Sequence, residues 1–79
     1  MSFKTSHLGL AAALITTKVP FNGMEPDDDG SGRQHFAFDG HPAIMEEYKR
    51  AYFAGELLVS ASGMYNAFKD LKTQLHERA

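Results

Sequence analysis

An acidic, glycine-containing stretch, Glu25-Pro26-Asp27-Asp28-Asp29-Gly30-Ser31-Gly32, divides this chain. Three consecutive carboxylates resist burial, and the glycines that follow do not propagate a helix. Residues 25–32 therefore read as the exposed tip of a β-hairpin. The strand before the tip runs from Val19 to Met24, and the two-residue period places Val19, Phe21 and Gly23 on one side. The strand after it runs from Arg33 to Phe38. Phe36 and Phe38 share a face with Gln34, while Arg33, His35 and Ala37 turn the other way. Such alternation predicts one face covered by helices and one facing water.

Helices are expected on both sides of the hairpin. Thr5 or Ser6 can cap a first helix in which Leu8, Ala11, Ala12 and Ile15 share a face and Leu10 and Leu14 widen the apolar stripe. Val19-Pro20 ends it, since proline disfavours helical geometry in the residue before it. Asp39-Gly40-His41-Pro42 opens a second helix with proline in its first turn and Glu46 and Glu47 not far from its positive end. Ile44, Met45, Tyr48, Ala51 and Tyr52 form its apolar side, and Gly55 is a left-handed stop. Glu56-Leu57-Leu58-Val59 reads as an extended link or a third, edge strand. Ser60 or Ser62 caps a last helix whose Met64, Phe68, Leu71 and Leu75 fall on one stripe. The fold class is α+β, in the order helix, antiparallel hairpin, helix, short extended segment, helix. Phe36, Phe38, Phe68, Leu71 and Ile15 are the expected core.

At 79 residues the chain can fill one core, so residues 1–79 form a single domain. Lys4 and the apolar run Leu8–Ile15 imitate a secretion signal, but Thr16-Thr17-Lys18 breaks the run without a cleavage site. It is also shorter than the roughly 20 residues that span a bilayer, so no membrane partner is expected. The absence of cysteine removes disulfides, thiolate metal sites and thiol nucleophiles, and it suits a cytoplasmic protein. From Glu25 to Glu56 eight acidic residues face three basic ones. That excess argues against direct nucleic-acid binding, which draws on lysine and arginine, and for a basic protein partner.

The segments Thr5-Ser6-x-Leu8, Leu10-Ala11-Ala12-x-Leu14, Phe36-x-Phe38-Asp39, Tyr52-Phe53-Ala54-Gly55-Glu56-Leu57-x-Val59 and Ala67-Phe68-x-x-Leu71-Lys72 are spread along the chain from residue 5 to residue 72. In these segments it resembles an uncharacterised family of small bacterial and phage domains of unknown function. The resemblance implies the order of elements and a bacterial or phage setting, and no catalytic residue. In general character, being short, cysteine-free, of mixed helix and strand and acidic, the chain is also similar to anti-CRISPR proteins.

Known chemical motifs do not fit. A calcium loop needs glycine sixth and glutamate twelfth, whereas counting from Asp27 places Gly30 fourth and Phe38 twelfth. Gly30-Ser31-Gly32 lacks the third glycine of a dinucleotide fingerprint and joins two strands rather than a strand to a helix. His7, His35, His41 and His76 show no ligand spacing, and Ser60 and Ser62 have no general base nearby in sequence. No metal, cofactor or catalytic set is expected, and the chain reads as a non-catalytic interaction protein. The leading expectation is a stoichiometric, anti-CRISPR-type inhibitor in which Asp27, Asp28, Asp29, Glu46 and Glu47 occupy the nucleic-acid groove of a host effector complex. A homodimeric scaffold or regulatory module is the alternative, paired through Tyr48, Tyr52 and Phe53. Tyr52 and Phe53 differ by about 100° around their helix, so both cannot be equally buried. A third reading is a small nucleic-acid-binding domain using Arg33, His35, Lys69 and Lys72.

Overall fold

The computed structural model describes residues 2–26 and 34–78. Its elements run β1 (Ser2–Thr5), α1 (Leu8–Thr16), β2 (Phe21–Pro26), β3 (Gln34–Asp39), α2 (Pro42–Phe53) and α3 (Ala61–Arg78). The fold is α+β, as the pattern of periods predicts. β2 and β3 pair antiparallel, and β1 adds to the free side of β3 to give a three-stranded sheet in the order β1-β3-β2. The third strand is thus at the N-terminal end and not at Glu56–Val59, which is irregular. In a four-residue segment with Phe3 as its one large apolar residue, local pattern is too weak to announce a strand. Pairing with β3, from Ser2 opposite Asp39 to Thr5 opposite Phe36, creates it.

Three more features depart from the period-based reading. The ladder between β2 and β3 shifts between Phe21 and Gly23, leaving Asn22 as an extra residue, and Gly23 has φ 103°. Such a bulge, which glycine accommodates without steric cost, reverses the alternation beyond it. Met24 rather than Gly23 therefore joins Phe21 on the core side, where Met24 is buried. Secondly, β2 runs through Glu25 and Pro26, opposite His35 and Gln34, so these two residues, expected in the tip, belong to the strand. Residues 27–33, with Asp27, Asp28, Asp29 and Arg33, lie outside the described residues. Thirdly, Ala37 on the outer face of β3 is buried. Lys4 pairs with Ala37 and Glu25 with His35, and the Lys4 ammonium reaches the Glu25 carboxylate at 3.4 Å across the central strand. A single methyl group leaves room for that bridge, which is half-exposed and worth little by itself.

α1 is the hub of the core. Leu10, Ala11, Ala12, Ala13 and Leu14 are all buried, and five successive residues at about 100° each cover the whole circumference. A helix apolar on every side is an interior helix. It packs against α3 and α2, with Phe36, Phe38 and Met24 of the sheet in the same cluster. Its N-cap is His7, not Thr5 or Ser6: the His7 Nδ1 accepts from the Leu10 amide at 3.1 Å, while the Thr5 hydroxyl accepts from the His7 amide. At its other end the Lys18 amide donates to Ile15 and the Val19 amide to Leu14, a Schellman closure. Lys18 there takes φ 71°.

α2 begins with Pro42 after His41, whose Nδ1 accepts from the Ala43 amide. It ends as predicted at Gly55 (φ 75°), where the Gly55 amide donates to Tyr52 and the Glu56 amide to Ala51. Met45 is its buried contact, and Ile44, expected inside, is 56% exposed. α3 is capped by Ser60, whose hydroxyl accepts from the Gly63 amide at 3.2 Å. Ala67 and Leu71 are its buried residues, with Met64 and Leu75 beside them. Phe68, expected in the core, is 37% exposed at the edge of that stripe.

Candidate interaction surface

On an α-helix Tyr65, Phe68, Lys69 and Lys72, at i, i+3, i+4 and i+7, share one face. In α3 this face is turned away from α1. Tyr65 is 65% exposed, and Leu58, two residues ahead of the Ser60 cap, is 91% exposed. The Lys69 ammonium lies 5.8 Å from the centre of the Tyr65 ring, and the Lys72 ammonium 5.8 Å from that of Phe68. Each lysine stem thus folds back over an aromatic ring and holds its charge at the border of an apolar patch. The other flank of α3 is different in kind. Asn66 and Asp70 line a cleft of mixed character, about 470 Å³, with Ile15, Thr16, Lys18 and Ala67.

The cleft has little chemical capacity. The Ser60 hydroxyl is engaged by the Gly63 amide and lies 3.3 Å from that of Ser62, and no histidine is among the lining residues. A smaller hollow, about 410 Å³, is lined by Pro20, Asp39, Gly40 and His41, and the His41 Nδ1 is committed to capping α2. Among the described residues no group of three or more His, Asp or Glu side chains is placed to hold a metal ion. No helix of the described residues is long and apolar enough to cross a membrane.

Of the sequence-predicted site residues, Asp27, Asp28 and Asp29 lie outside the described residues, and Glu46, Glu47, Tyr52 and Phe53 all belong to α2. Glu46 is exposed on α2. Glu47 is committed to Arg50, which reaches its two carboxylate oxygens at 2.7 and 3.1 Å. Arg50 also approaches the Glu56 carboxylate at 3.5 Å. The hydrogen bond from Arg50, and then its positive charge, hold the Glu47 carboxyl below the ordinary glutamate value. Tyr52 and Phe53 separate as helical geometry requires. Tyr52 is half-buried and its hydroxyl covers Gly9 of α1, so that a methyl group there would overlap it. Phe53 is 56% exposed. The ring of His7 stands edge-on to both, 5.5 Å from Tyr52 and 5.0 Å from Phe53, and the two aromatic rings meet at 5.1 Å. These three rings tie the start of α1 to the end of α2. His35 lies half-buried on the outer sheet face.

Of the exposed face of α3, Lys69 and Lys72 are expected from the sequence, as contacts for nucleic acid, but Tyr65 and an exposed Phe68 are not. The signal for Tyr65 is in the sequence nonetheless: Tyr65 follows Met64 by about 100°, so when Met64 turns to the core Tyr65 cannot. Comparison with known proteins found no matching family, no similar curated protein and no similar solved structure.

Proposed function

We propose that the chain is a non-catalytic module that binds another protein through the outer face of α3. The observation that carries this reading is the exposure of Tyr65 and Phe68, side by side on a helix whose inner face is already satisfied by Ala67 and Leu71. Large aromatic side chains left outside a completed core, with Leu58 at the same end of the helix, supply the kind of surface that partners cover. Of the carboxylates that phosphate mimicry would use, Asp27, Asp28 and Asp29 lie outside the described residues, Glu46 is exposed and Glu47 is engaged by Arg50. Pairing of two copies through α2 is weakened as a reading, since Tyr52 and half of Phe53 are already used against Gly9 and His7.

The test compares the wild-type chain with the variant Leu58→Ser, Tyr65→Ser, Phe68→Ser in quantitative affinity capture, after circular dichroism has shown equal helix content. Proteins held by the wild type and lost from the variant are the expected result. The same captured set from both would refute this choice of surface.

A further inference from the structure

Resting on the reading of α3 as a protein-binding face, we infer that its partner is an acidic, amphipathic helical segment. Tyr65, Phe68, Lys69 and Lys72 span about 10 Å of helix, close to two turns, which is the footprint of a helix laid along another. Within this stripe every charge is positive. Asp70 and Glu77 fall on the opposite flank, and among the described residues neither Lys69 nor Lys72 has a carboxylate within ion-pair distance. Their cations rest instead over Tyr65 and Phe68. A partner that offers apolar side chains to the rings and carboxylates to their border satisfies all four residues at once. Charge then sets its orientation and the apolar contacts hold it.

Two other occupants fit less well. A second copy of this helix, laid antiparallel around Phe68, would set Lys69 against its own counterpart, like charge on like at the centre. Nucleic acid would find two lysines, enough for a log–log salt slope of only about −1.8 on duplex DNA or about −1.4 on a single strand. It would also meet a chain of net charge −2. Leu58, exposed and aliphatic, offers nothing to stack on a base.

The experiment is selection of a randomised helical peptide library, displayed on phage, against the intact chain at low ionic strength. Enriched peptides should combine apolar residues at helical spacing with an excess of Asp and Glu. Their affinity should fall by about tenfold or more in the variant Lys69→Glu, Lys72→Glu. Exchanging the acids of the peptide for lysines should restore binding to that variant. Enriched peptides without an acidic excess, or with affinity indifferent to the two lysines, overturn the inference while leaving a binding module in place. Tighter binding of a poly-dT oligonucleotide, or a dimer in ultracentrifugation that Tyr65→Ser dissociates, overturns it in favour of nucleic acid or a second copy. An empty selection also overturns it, and the capture experiment with the serine variant then decides separately whether α3 binds protein at all.

Discussion

Lys18 is the residue whose replacement should stabilise the protein. It closes α1 in the left-handed region at φ 71°, held there by the hydrogen bonds that its own amide donates to the Ile15 carbonyl (3.0 Å) and the Val19 amide to the Leu14 carbonyl (3.1 Å). Those bonds satisfy carbonyls that the helix would otherwise leave open, and Val19 packs at the border of the core beside Leu14. A side chain with a Cβ in this conformation costs about 1–2 kcal/mol. Glycine removes that cost but adds about 0.5–1 kcal/mol of unfolded-state entropy. At their midpoints, about 1.5 and about 0.75 kcal/mol, the two predict that Lys18→Gly stabilises by about 0.75 kcal/mol, raising the melting temperature by about 3–6 °C in a domain of this size. The Lys18 side chain is exposed, so its loss should matter little. Lys18→Ala is the control, because it removes the stem and keeps the Cβ. Thermal and urea unfolding followed at 222 nm on the three proteins give the comparison. Lys18→Gly melting at or below Lys18→Ala would show that the backbone at this position is not under the conformational cost assigned to it.

Three further outcomes follow from the packing and the charges. Gly9→Ala should gain helix propensity of about 1 kcal/mol yet destabilise the protein, because the new methyl overlaps the Tyr52 hydroxyl. The damage should shrink in a Tyr52→Phe background, and additive effects in that four-protein thermal cycle would deny the contact. Leu71→Ala, which empties a fully buried site, should cost about 2–5 kcal/mol, and Phe68→Ala clearly less, as read by urea unfolding; the reverse ranking would invert the assigned faces of α3. The Glu47 carboxyl should titrate below the ordinary glutamate value in NMR and return to it in Arg50→Gln. Because its folded value is depressed, whatever the pair contributes is present above the unfolded value and is lost as pH falls through the folded one. A loss centred at neutral pH would contradict the assignment.

How far the sequence reaches is visible at the two helix ends. Gly55 is legible as a left-handed stop because only glycine adopts that conformation freely, and α2 ends there. Lys18 takes the same conformation at the end of α1 and is not legible, because lysine has no such preference and Val19, packed at the edge of the core, draws the chain into it. His41-Pro42 and Ser60 mark the starts of α2 and α3 correctly, being local signals acting through amides two or three residues away. The cap of α1 falls at His7 rather than at Thr5 or Ser6, since the His7 ring owes its position to Tyr52 and Phe53 as well as to the Leu10 amide.

By itself the sequence determined the α+β class, the hairpin, both ends of α2, the start of α3 and the burial of Phe36, Phe38 and Leu71, because each depends on period and local bonding. The tertiary structure decided what lies between elements. β1 exists through its partner strand, Met24 reaches the core through a bulge, and Ala37 is buried beneath a bridge between residues from two other strands. The same holds for the candidate surface. Periodicity gives a helix more than one apolar stripe to choose from, and packing against α1 selected the one with Ala67 and Leu71. Tyr65 and Phe68, with their lysines, were left facing outward because the small residues opposite, such as Thr16 against Gly63, let the inner stripe approach closely enough to finish the core without them.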